Sequence, residues 1–531
     1  MKRAELLESL ARQSVYDLAV VGGGATGLGV ALDAALRGFS VVLLESHDFA
    51  GGTSSRSTKL LHGGVRYLAQ GNLSLVREAL AERGTVLRVA PHLAQPLPFV
   101  MPSYRWWQTP FYGIGLKLYD LLAGSAGLGR TEFLGRERTL AALPGVNPRH
   151  LLGGVQYWDG QFDDARLALA LARTAEAAGA VLLNYSRVAA VRRQAVSALN
   201  RFELDVHDTL DGRVRTVAAR CVVNATGVWV DELRAVTQGQ VPQAPPQRMV
   251  SPSQGVHVVV DREFLGGDTA LLVPKTPDGR VLFAVPWLGK VVLGTTDTPR
   301  QDLPREPDAF EEELDFILSE AGRALNRPVR RQDVRSVWVG LRPLVAPPRQ
   351  ANGATKSLSR EHTIVTDPTG LVTVTGGKWT TYRAMAEDVL DRCFDEGLLS
   401  RKPGGLTEHH PLLGAGPGLP KALHTAPGLH LYGTEAPRVN ACPGAETQLG
   451  MGLTEAMVRF AAREEYAQTV EDVLARRWRA LFLDAASAAT MAPAVAAILL
   501  DEGCSAPELD AFLALCRRNS LPAEACSTHR G

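Results

Sequence analysis

The chain has 531 residues, of which 45% are hydrophobic and 21% charged, and its formal net charge is +1. These values are typical of a soluble globular protein with more than one domain. They exclude an overall electrostatic field that would recruit nucleic acid or an anionic membrane. The six cysteines include no CxxC pair, so neither a disulfide framework nor a zinc site is indicated.

The first recognisable unit runs from Tyr16 to Ser46 and reads YDLAVVGGGATGLGVALDAALRGFSVVLLES. We expect an apolar strand, a turn with Gly22, Gly24 and Gly27, a helix, and a second strand that ends at Glu45. The first glycine permits the turn, the second lets the backbone approach a pyrophosphate, and the third lets helix and strand pack closely. The helix N-terminus offers N–H donors to a phosphate, and Glu45 can accept from a ribose hydroxyl. The unit predicts a dinucleotide site, for either FAD or NAD.

A hydroxyl-rich loop follows the second strand and contains Thr53, Ser54, Ser55 and Lys59. It is either a generic polar loop or a loop that holds a pyrophosphate or a flavin.

Residues 105–122 read RWWQTPFYGIGLKLYDLL and are rich in aromatic side chains. The aromatic members are Trp106, Trp107, Phe111, Tyr112 and Tyr119, and Arg105 and Lys117 accompany them. Such a segment either packs in the core or lies in a membrane interface, and the sequence leaves both interpretations open.

Three further segments with the signals of strands and helices follow in chain order. Asp163 or Asp164 can cap a helix that Gly179 ends, and AVLLN returns as a strand. Later, RCVVNATG predicts a buried strand that ends in glycine, and TGGKWTT predicts a second helix opened by glycines. An extended, permanently held FAD needs such contacts along its length, so these segments favour FAD over NAD.

Between Gln254 and Pro343 the pattern changes to short β-rich runs: GVHVVV, TALLVP, RVLFAVPW and KVVLGTT. Turn residues at Pro277–Gly279 and Leu288–Gly289 separate them, which predicts an antiparallel sheet inserted between parts of the nucleotide domain. After the Gly- and Pro-rich linker at 401–420, apolar residues at helical spacing predict a helical region. In this region, Ala480–Leu500 predicts two helices broken before Pro493 rather than a membrane span.

The predicted fold class is α/β + α+β. A discontinuous, Rossmann-like FAD-binding domain would comprise residues 15–95, 151–240 and 356–400. An inserted antiparallel-sheet substrate domain would comprise 96–150 and 241–355, and 401–420 would be a linker to a C-terminal helical domain at 421–531. The N-terminus carries Glu5 and Glu8 where a signal peptide needs an apolar run, so export is not expected.

Six stretches together resemble the FAD-dependent glycerol-3-phosphate dehydrogenases of the aerobic, quinone-linked type. The stretches are GGTSSRSTKLLHGGVRYLAQGNLSLVREALAERGTVLRVAPHL, QYWDGQFDDARLALALA, VNATGVWVDEL, WVGLRPLV, SLSREHTIV and TGGKWTTYRAMAE. The C-terminal EEYAQTVEDVLARRWRALFLD is similar to that family's helical cap domain. The resemblance implies oxidation of sn-glycerol 3-phosphate at C2 to dihydroxyacetone phosphate, with hydride passing to FAD. It further implies that electrons pass to a membrane quinone, or to oxygen in the oxidase relatives, at the cytoplasmic face of the cell membrane.

The phosphate of that substrate needs basic donors, and the resemblance assigns this role to Arg342, Arg360 and Arg66. His257, in GVHVVV, is either the general base for the C2 hydroxyl or a hydrogen-bonded core histidine. Lys378 would place positive charge near the N1 edge of reduced flavin. The catalytic set is therefore His257, Arg342, Arg66, Arg360 and Lys378. The cofactor-binding set is Gly22, Gly24, Gly27, Glu45, Thr53, Ser54, Ser55, Lys59, Leu60, His62, Val188, Gly227, Gly377, Lys378 and Thr380; no metal ligand is predicted.

Three other hypotheses stay open at this point. The chain could be a soluble oxidase that makes hydrogen peroxide, an amine or amino-acid oxidase of the same flavin fold, or a flavin-free binding protein. The sequence does not decide between a monomer and a homodimer, and it indicates no nucleic-acid partner.

Overall fold

The computed structural model describes residues 3–64, 72–194, 201–238, 247–276, 280–346, 362–418 and 420–521. The strands are β1 (Tyr16–Val21), β2 (Val41–Leu44), β3 (Leu60–Leu61), β4 (Ala94–Ser103), β5 (Glu132–Gly135), β6 (Gly153–Phe162), β7 (Val181–Leu183), β8 (Ser186–Gln194), β9 (Arg201–Asp208), β10 (Val214–Asn224), β11 (Thr237–Gln238), β12 (Val250–Asp261), β13 (Ala270–Val273), β14 (Leu282–Trp287), β15 (Lys290–Gly294), β16 (Thr298–Pro299), β17 (Val334–Val345), β18 (His362–Thr366), β19 (Val372–Gly376), β20 (Gln448–Gly450) and β21 (Leu453–Thr454). The helices are α1 (Arg3–Arg12), α2 (Ala25–Leu36), α3 (Leu73–Val89), α4 (Gln108–Ala123), α5 (Arg136–Ala142), α6 (Asp164–Ala177), α7 (Val230–Val236), α8 (Glu311–Ala324), α9 (Tyr382–Asp395), α10 (Ala436–Asn440), α11 (Glu455–Glu464), α12 (Ala480–Leu483), α13 (Ala485–Asp501) and α14 (Leu509–Asn519).

The first sheet has the strand order β11-β8-β9-β10-β1-β2-β7, with β19 on β10 and β18 on β19. The strands β7, β2, β1, β10 and β19 run parallel to one another, whereas β8, β9 and β18 pair antiparallel. Because the carboxyl ends of parallel strands meet at one edge, the segments after β1, β2, β10 and β19 come together there. This arrangement confirms the predicted Rossmann-like part of the fold.

The helix after β1 begins at Ala25, so that Gly27 lies inside its first turn rather than before it, and it ends before Gly38 as the sequence predicts. Gly24 precedes α2 in extended conformation, and Gly38 stops it with a φ of 75°, a value that favours glycine. The Asp163 carboxylate caps α6 by accepting from the Arg166 N–H at 3.3 Å. Both helices pack their apolar residues against the first sheet, where they form the largest buried core of the protein.

The second sheet has the order β16-β12-β15-β14-β13-β4-β6-β3, with β17 on β12 and β5 on β6. The long antiparallel pair β12–β17 sets His257 opposite Trp338 and Ser253 opposite Arg342. Leu288 and Gly289, with φ of 46° and 81°, make the turn between β14 and β15. The predicted turn at 277–279 lies outside the described residues.

The second sheet takes up more of the chain than the predicted boundaries gave it. Strand β6 pairs with β4 over its whole length, from Ala94 opposite Phe162 to Ser103 opposite Gly153. Strand β6, which follows the predicted boundary at 151, therefore belongs to the second sheet and leads directly into the cap of α6.

The C-terminal helices pack onto the second sheet, with Trp287 and Trp338 of that sheet inside their core. The apolar residues at helical spacing do not lie on one continuous helix, since α11 ends at Glu464 and Tyr466 takes a φ of 58°. Ala480–Leu500 does form two helices, but the break falls at Asp484, whose carboxylate caps α13 by accepting from Ser487 N–H at 3.0 Å. Pro493 lies inside α13. In the part of the chain that the structure describes, no helix is both long and apolar enough to cross a membrane.

Buried ion pairs join the C-terminal helices to the first domain. Arg477 donates to Asp48 Oδ1 at 2.9 Å, and Arg476 also pairs with the Asp48 carboxylate. On α6, Arg166 pairs with Glu465 at 2.9 Å. Because removal of one partner of a buried pair typically costs about 3–5 kcal/mol, these contacts fix the C-terminal helices firmly on the first domain.

Candidate active site

A cavity of 790 Å³ begins at the carboxyl edge of the first sheet and extends to β12 and β17 of the second sheet. Its volume lies in the range of small-molecule and cofactor sites. Of the sequence-predicted residues, those that line it are Gly22, Gly24, Glu45, Thr53, Ser54, Leu60, His62, Val188, Gly227, His257, Arg342, Gly377, Lys378 and Thr380. Gly27, Ser55 and Lys59 are not part of the lining, and Arg66 and Arg360 lie outside the described residues.

The glycine turn brings the N-terminus of α2 to the cavity. Gly22 has a φ of 112°, and a Cβ added there would lie 2.5 Å from the Ala225 carbonyl oxygen. A Cβ added at Gly27 would lie 1.9 Å from the Gly22 carbonyl oxygen, so Gly27 allows the turn to pack on α2 although it does not line the cavity. The N-terminal end of α2 therefore lines the cavity through Gly24, Ala25 and Thr26, and a helix N-terminus favours a phosphate.

Glu45 ends β2 beside this turn. Its carboxylate accepts from the Gly23 N–H at 2.7 Å and from the His47 N–H at 2.9 Å, and it lines the cavity. This is the position at which a dinucleotide fold accepts from a ribose hydroxyl. The donor set of the helix end and this carboxylate together fit the pyrophosphate and ribose of FAD.

Leu303 and Arg305 line the cavity near Glu45, although the sequence does not predict them as site residues. Arg305, in the irregular chain between β16 and α8, donates to Ser46 Oγ at 2.6 Å and lies 4.6 Å from the centre of the Trp229 ring. Trp229 donates in turn to the Leu303 carbonyl at 3.1 Å. No periodicity or motif marks residues 300–306, so the sequence offered no signal for this contact.

The hydroxyl-rich loop connects the glycine turn with the second sheet. Ser54 Oγ accepts from the Ala25 N–H at 2.9 Å, and Thr53 Oγ1 donates to the Leu341 carbonyl at 2.6 Å. Trp379 donates to the Ser54 carbonyl at 2.8 Å. The loop is therefore held by both sheets, and its residues Thr53, Ser54 and Thr58 line the cavity.

Lys59 points away from the cavity. Its ammonium donates to Asp164 Oδ2 at 2.7 Å and to the Ser55 carbonyl at 2.7 Å, and the side chain is fully buried. Burial, the largest cause, lowers the pKa of Lys59 to about 7, while the Asp164 carboxylate opposes the shift. The structure thus gives the Lys59 side chain a place in a buried ion pair rather than beside a cofactor.

His257 lies on β12 with its imidazole at the cavity wall. Nε2 is 2.9 Å from Thr58 Oγ1, and the ring stacks on Trp338 with centroids 4.0 Å apart. A Cβ added at Gly294, opposite on β15, would lie 2.7 Å from His257 Cδ2, so this glycine makes room for the imidazole. Burial holds the pKa of His257 well below its ordinary value, and the positive charges of Lys59 and Arg342 act in the same direction. The ring is therefore neutral at neutral pH, and its buried Nδ1 has no hydrogen-bond partner among the described residues.

Arg342 lies on β17 with its guanidinium at the cavity near His257. Nη2 donates to the Thr296 carbonyl at 2.9 Å and to Thr295 Oγ1 at 3.2 Å, and Nη1 is 3.1 Å from Asp297 Oδ1. A Cβ added at Gly255 would lie 2.3 Å from Nη2, so a glycine again provides the space. Protein oxygens therefore engage both terminal nitrogens and hold the guanidinium in one orientation.

The segment after β19 completes the wall. Gly376 and Gly377 have φ of 83° and 73°, and they turn the chain so that Lys378 precedes the helical turn Trp379–Thr381. Lys378 and Thr380 line the cavity there, next to the loop that carries Thr53 and Ser54, because Trp379 donates to the Ser54 carbonyl. The cavity thus extends from the helix end at Gly24 to a second region lined by His257 and Arg342, with Lys378 also in its lining.

Comparison with known proteins agrees with this description. Residues 17–391 match the family described as FAD dependent oxidoreductase, and residues 372–503 match the C-terminal domain of alpha-glycerophosphate oxidase. The protein therefore belongs to the FAD-dependent oxidoreductases, with FAD as its cofactor.

Its relatives define the family more closely. The chain is 38% identical over 530 residues to the mitochondrial glycerol-3-phosphate dehydrogenase of Rattus norvegicus, covering 94% of this chain and 72% of the rat protein. It is 39% identical over 530 residues to the mitochondrial glycerol-3-phosphate dehydrogenase SDP6 of Arabidopsis thaliana, covering 92% of this chain and 82% of the plant protein. The solved structure of the glycerol-3-phosphate dehydrogenase from Bacillus halodurans complexed with FAD superposes with a TM-score of 0.74 at 28% identity, and 97% of each chain is covered. The chain belongs to the FAD-dependent glycerol-3-phosphate dehydrogenase family.

Proposed function

We propose that the protein oxidises sn-glycerol 3-phosphate at C2 to dihydroxyacetone phosphate. The observation that carries the proposal is the convergence of His257 and Arg342, on paired strands β12 and β17, at a cavity whose other end is a dinucleotide-binding turn. The relatives named glycerol-3-phosphate dehydrogenase support the choice of substrate.

Arg342 is proposed to bind the substrate phosphate. Its planar donors suit two phosphate oxygens, and the surrounding carbonyls of Gln254 and Thr296 hold it in place before substrate arrives. Arg66 and Arg360 are proposed as further phosphate ligands on the family resemblance alone, since both lie outside the described residues.

His257 is proposed as the general base. Its neutral imidazole can take the proton of the C2 hydroxyl, and general acid–base catalysis of this kind contributes roughly 10²–10⁴-fold. FAD, when bound, accepts the hydride that leaves C2. Lys378 is proposed to stabilise the negative charge that develops on the cofactor side of the cavity.

We further propose that α4 docks on a membrane surface, from which a quinone takes the electrons. Trp106, Phe111, Ile114 and Leu121 are 82%, 66%, 72% and 76% exposed, and the last three recur at helical spacing on α4. An apolar helix face of this kind can lie in the plane of a lipid interface. This exposure supports the membrane interpretation of residues 105–122 over core packing.

A comparison of electron acceptors tests the proposed function. Purified holoenzyme is given sn-glycerol 3-phosphate with a ubiquinone analogue, a redox dye or oxygen alone, and glycerol serves as the control without phosphate. We expect turnover with quinone and dye, little peroxide with oxygen alone, and no turnover of glycerol. Rapid peroxide formation would instead assign the protein as an oxidase, and turnover of glycine or sarcosine without turnover of glycerol 3-phosphate would overturn the substrate.

A further inference from the structure

Four charged side chains form a fully buried cluster behind the active-site wall: Lys59, Asp163, Asp164 and Arg479. Arg479 comes from the C-terminal helical region, and the two aspartates lie at the start of α6. Arg479 Nη2 is 3.1 Å from Asp164 Oδ1, and Arg479 Nε is 3.7 Å from Asp163 Oδ1. The cluster therefore brings two basic and two acidic groups together at the junction of the C-terminal helices with the first domain.

The cluster holds the hydroxyl-rich loop by its backbone and side chains. Asp164 Oδ2 accepts from the Ser57 N–H at 3.1 Å, from Ser57 Oγ at 2.7 Å and from Lys59 Nζ at 2.7 Å. The Ser55 carbonyl accepts from both Lys59 Nζ and Arg479 Nη2, each at 2.7 Å. Ser55, Ser57 and Lys59 are therefore each hydrogen-bonded to a buried charged side chain of the cluster.

The Thr58 side chain in this stretch contacts the cavity wall instead of the cluster. Its hydroxyl lies 2.9 Å from His257 Nε2 at the cavity wall. Asp164 accepts hydrogen bonds from both chain neighbours of Thr58, Ser57 and Lys59. Any shift of the loop would therefore move the hydrogen-bond partner of the imidazole.

A second contact links the charged cluster to the imidazole ring of His257. The Lys59 ammonium lies 4.5 Å from the centre of the Trp338 ring. The imidazole of His257 stacks on the same Trp338 ring. Lys59 and Arg479 have φ of 63° and 67°, in the left-handed region that side chains other than glycine seldom adopt. Strained backbone of this kind persists only where surrounding contacts determine it, and it is concentrated at functional sites.

We propose that Asp164 and Arg479 are positioning residues for His257, and that the C-terminal helical region takes part in catalysis by holding the loop that carries Thr58. The proposal rests on the proposed role of His257 as the base. Neither residue touches the substrate; both act through Thr58 and through the stacked Trp338.

The kinetic test uses Arg479→Met, Thr58→Val and the double variant, each isolated as FAD-loaded holoenzyme. The rate of flavin reduction by glycerol 3-phosphate is measured by anaerobic stopped flow at saturating substrate. We expect Arg479→Met to slow reduction roughly 10- to 100-fold, the range for a displacement of about 1 Å at a reacting group, with KM changed less than about threefold. In the Thr58→Val background the same substitution should have at most about a threefold further effect, because the two residues act through one contact.

Glu435→Gln is the matched control, since it weakens another buried pair between the C-terminal helices and α6, that of Arg173 with Glu435. It should lower thermal stability as Arg479→Met does and leave the reduction rate within about twofold of wild type. Asp164→Asn, which keeps the shape of the side chain, provides the second route if Arg479→Met does not fold; it should reproduce the slow reduction and the non-additivity with Thr58→Val.

A measurement without substrate separates this proposal from the proposed function. The ring-nitrogen NMR signals of His257, assigned by their loss in His257→Gln, should shift in Arg479→Met or Asp164→Asn in the same direction as in Thr58→Val, and should stay in place in Glu435→Gln. Unchanged His257 signals, or independent and multiplicative effects of Arg479→Met and Thr58→Val on flavin reduction, would overturn the positioning role. Failure of the wild-type enzyme to reduce its flavin with glycerol 3-phosphate would overturn the proposed function, while the NMR comparison still decides the positioning role.

Discussion

His257 and Trp338 occupy directly opposite positions on β12 and β17, and their rings stack with centroids 4.0 Å apart and planes 18° from parallel. The indole covers one face of the imidazole, and the Thr58 hydroxyl lies at Nε2. The plane of the ring is therefore set by packing before any substrate binds, as efficient proton transfer requires.

Replacement of His257 by Gln should lower kcat by roughly 10²–10⁴-fold, the usual contribution of a general base, because glutamine cannot accept the hydroxyl proton. FAD content should stay near that of wild type. The control is His207→Gln, which changes an exposed histidine on β9 and should leave kcat unaltered. A His257→Gln enzyme with wild-type kcat would remove His257 from the role of base.

The pH dependence of flavin reduction should reflect the lowered pKa of His257. Burial, with Lys59 and Arg342 in support, keeps that pKa well below the ordinary value of about 6.5, and the neutral ring is the active form. Activity should therefore persist as pH falls through about 6.5 and decline only at lower pH. Single-turnover reduction at saturating substrate is the measurement; an acid limb at or above about pH 6.5 that disappears in His257→Gln would contradict the account.

The lowered pKa of His257 also makes the free energy of unfolding depend on pH. In the unfolded chain His257 takes up a proton near its ordinary pKa of about 6.5, whereas in the folded protein it stays neutral to lower pH. The unfolded state therefore binds more protons between the two pKa values. The contribution of His257 to folding stability is complete above about pH 6.5 and is lost as pH falls toward the folded pKa.

Replacement of Arg342 by Ala should raise KM for glycerol 3-phosphate and leave FAD content unchanged. Loss of one charged hydrogen-bonding partner costs roughly 1.5–3 kcal/mol, or about 10- to 150-fold in substrate binding. Arg335→Ala is the matched control, since Arg335 lies on the same strand but pairs with Asp261 at the surface. Equal KM values for the two variants would place the phosphate elsewhere.

The sequence predicts the dinucleotide end of the site well because its parts are local. Gly22, Gly24 and Glu45 belong to one strand–turn–helix–strand unit, and Gly227 and Gly377 follow strands of the same parallel sheet. Strand pairing alone brings such residues to one edge. The β-rich run GVHVVV around His257 likewise predicts a strand of the antiparallel sheet.

Other features depend on contacts between segments far apart in the chain, which no local pattern encodes. In the sequence, Thr58 is one of several hydroxyl residues in a polar loop. In the fold, its hydroxyl lies beside His257, which is 199 residues away in the chain. The sequence predicts Lys59 beside the cofactor. Its ammonium instead lies in the interior, where it donates to Asp164 and lies close to the rings of Trp287 and Trp338. Asp164 itself was predicted only as a helix cap, because its second role requires Arg479 from the C-terminal helices.

The exposed face of α4 should govern membrane association. The double substitution Ile114→Ser with Leu121→Ser should weaken binding to anionic vesicles roughly 10- to 100-fold, because burial of one such side chain is worth about 1.5–3 kcal/mol and burial in a lipid interface is partial. Leu500→Ser is the control, as Leu500 is an exposed leucine on α13. Vesicle flotation measures the effect; wild-type flotation of the double variant would contradict membrane docking, and conversion of a dimer to a monomer would assign the face to a homodimer.

Anaerobic mixing of the holoenzyme with sn-glycerol 3-phosphate tests the central claim most directly. The account predicts that the visible flavin absorption band bleaches stoichiometrically, that dihydroxyacetone phosphate appears in equal amount, and that glycerol leaves the band unchanged. A flavin band that glycerol 3-phosphate does not bleach, in protein that dithionite does reduce, would contradict the assignment of this cavity as the site of glycerol 3-phosphate oxidation.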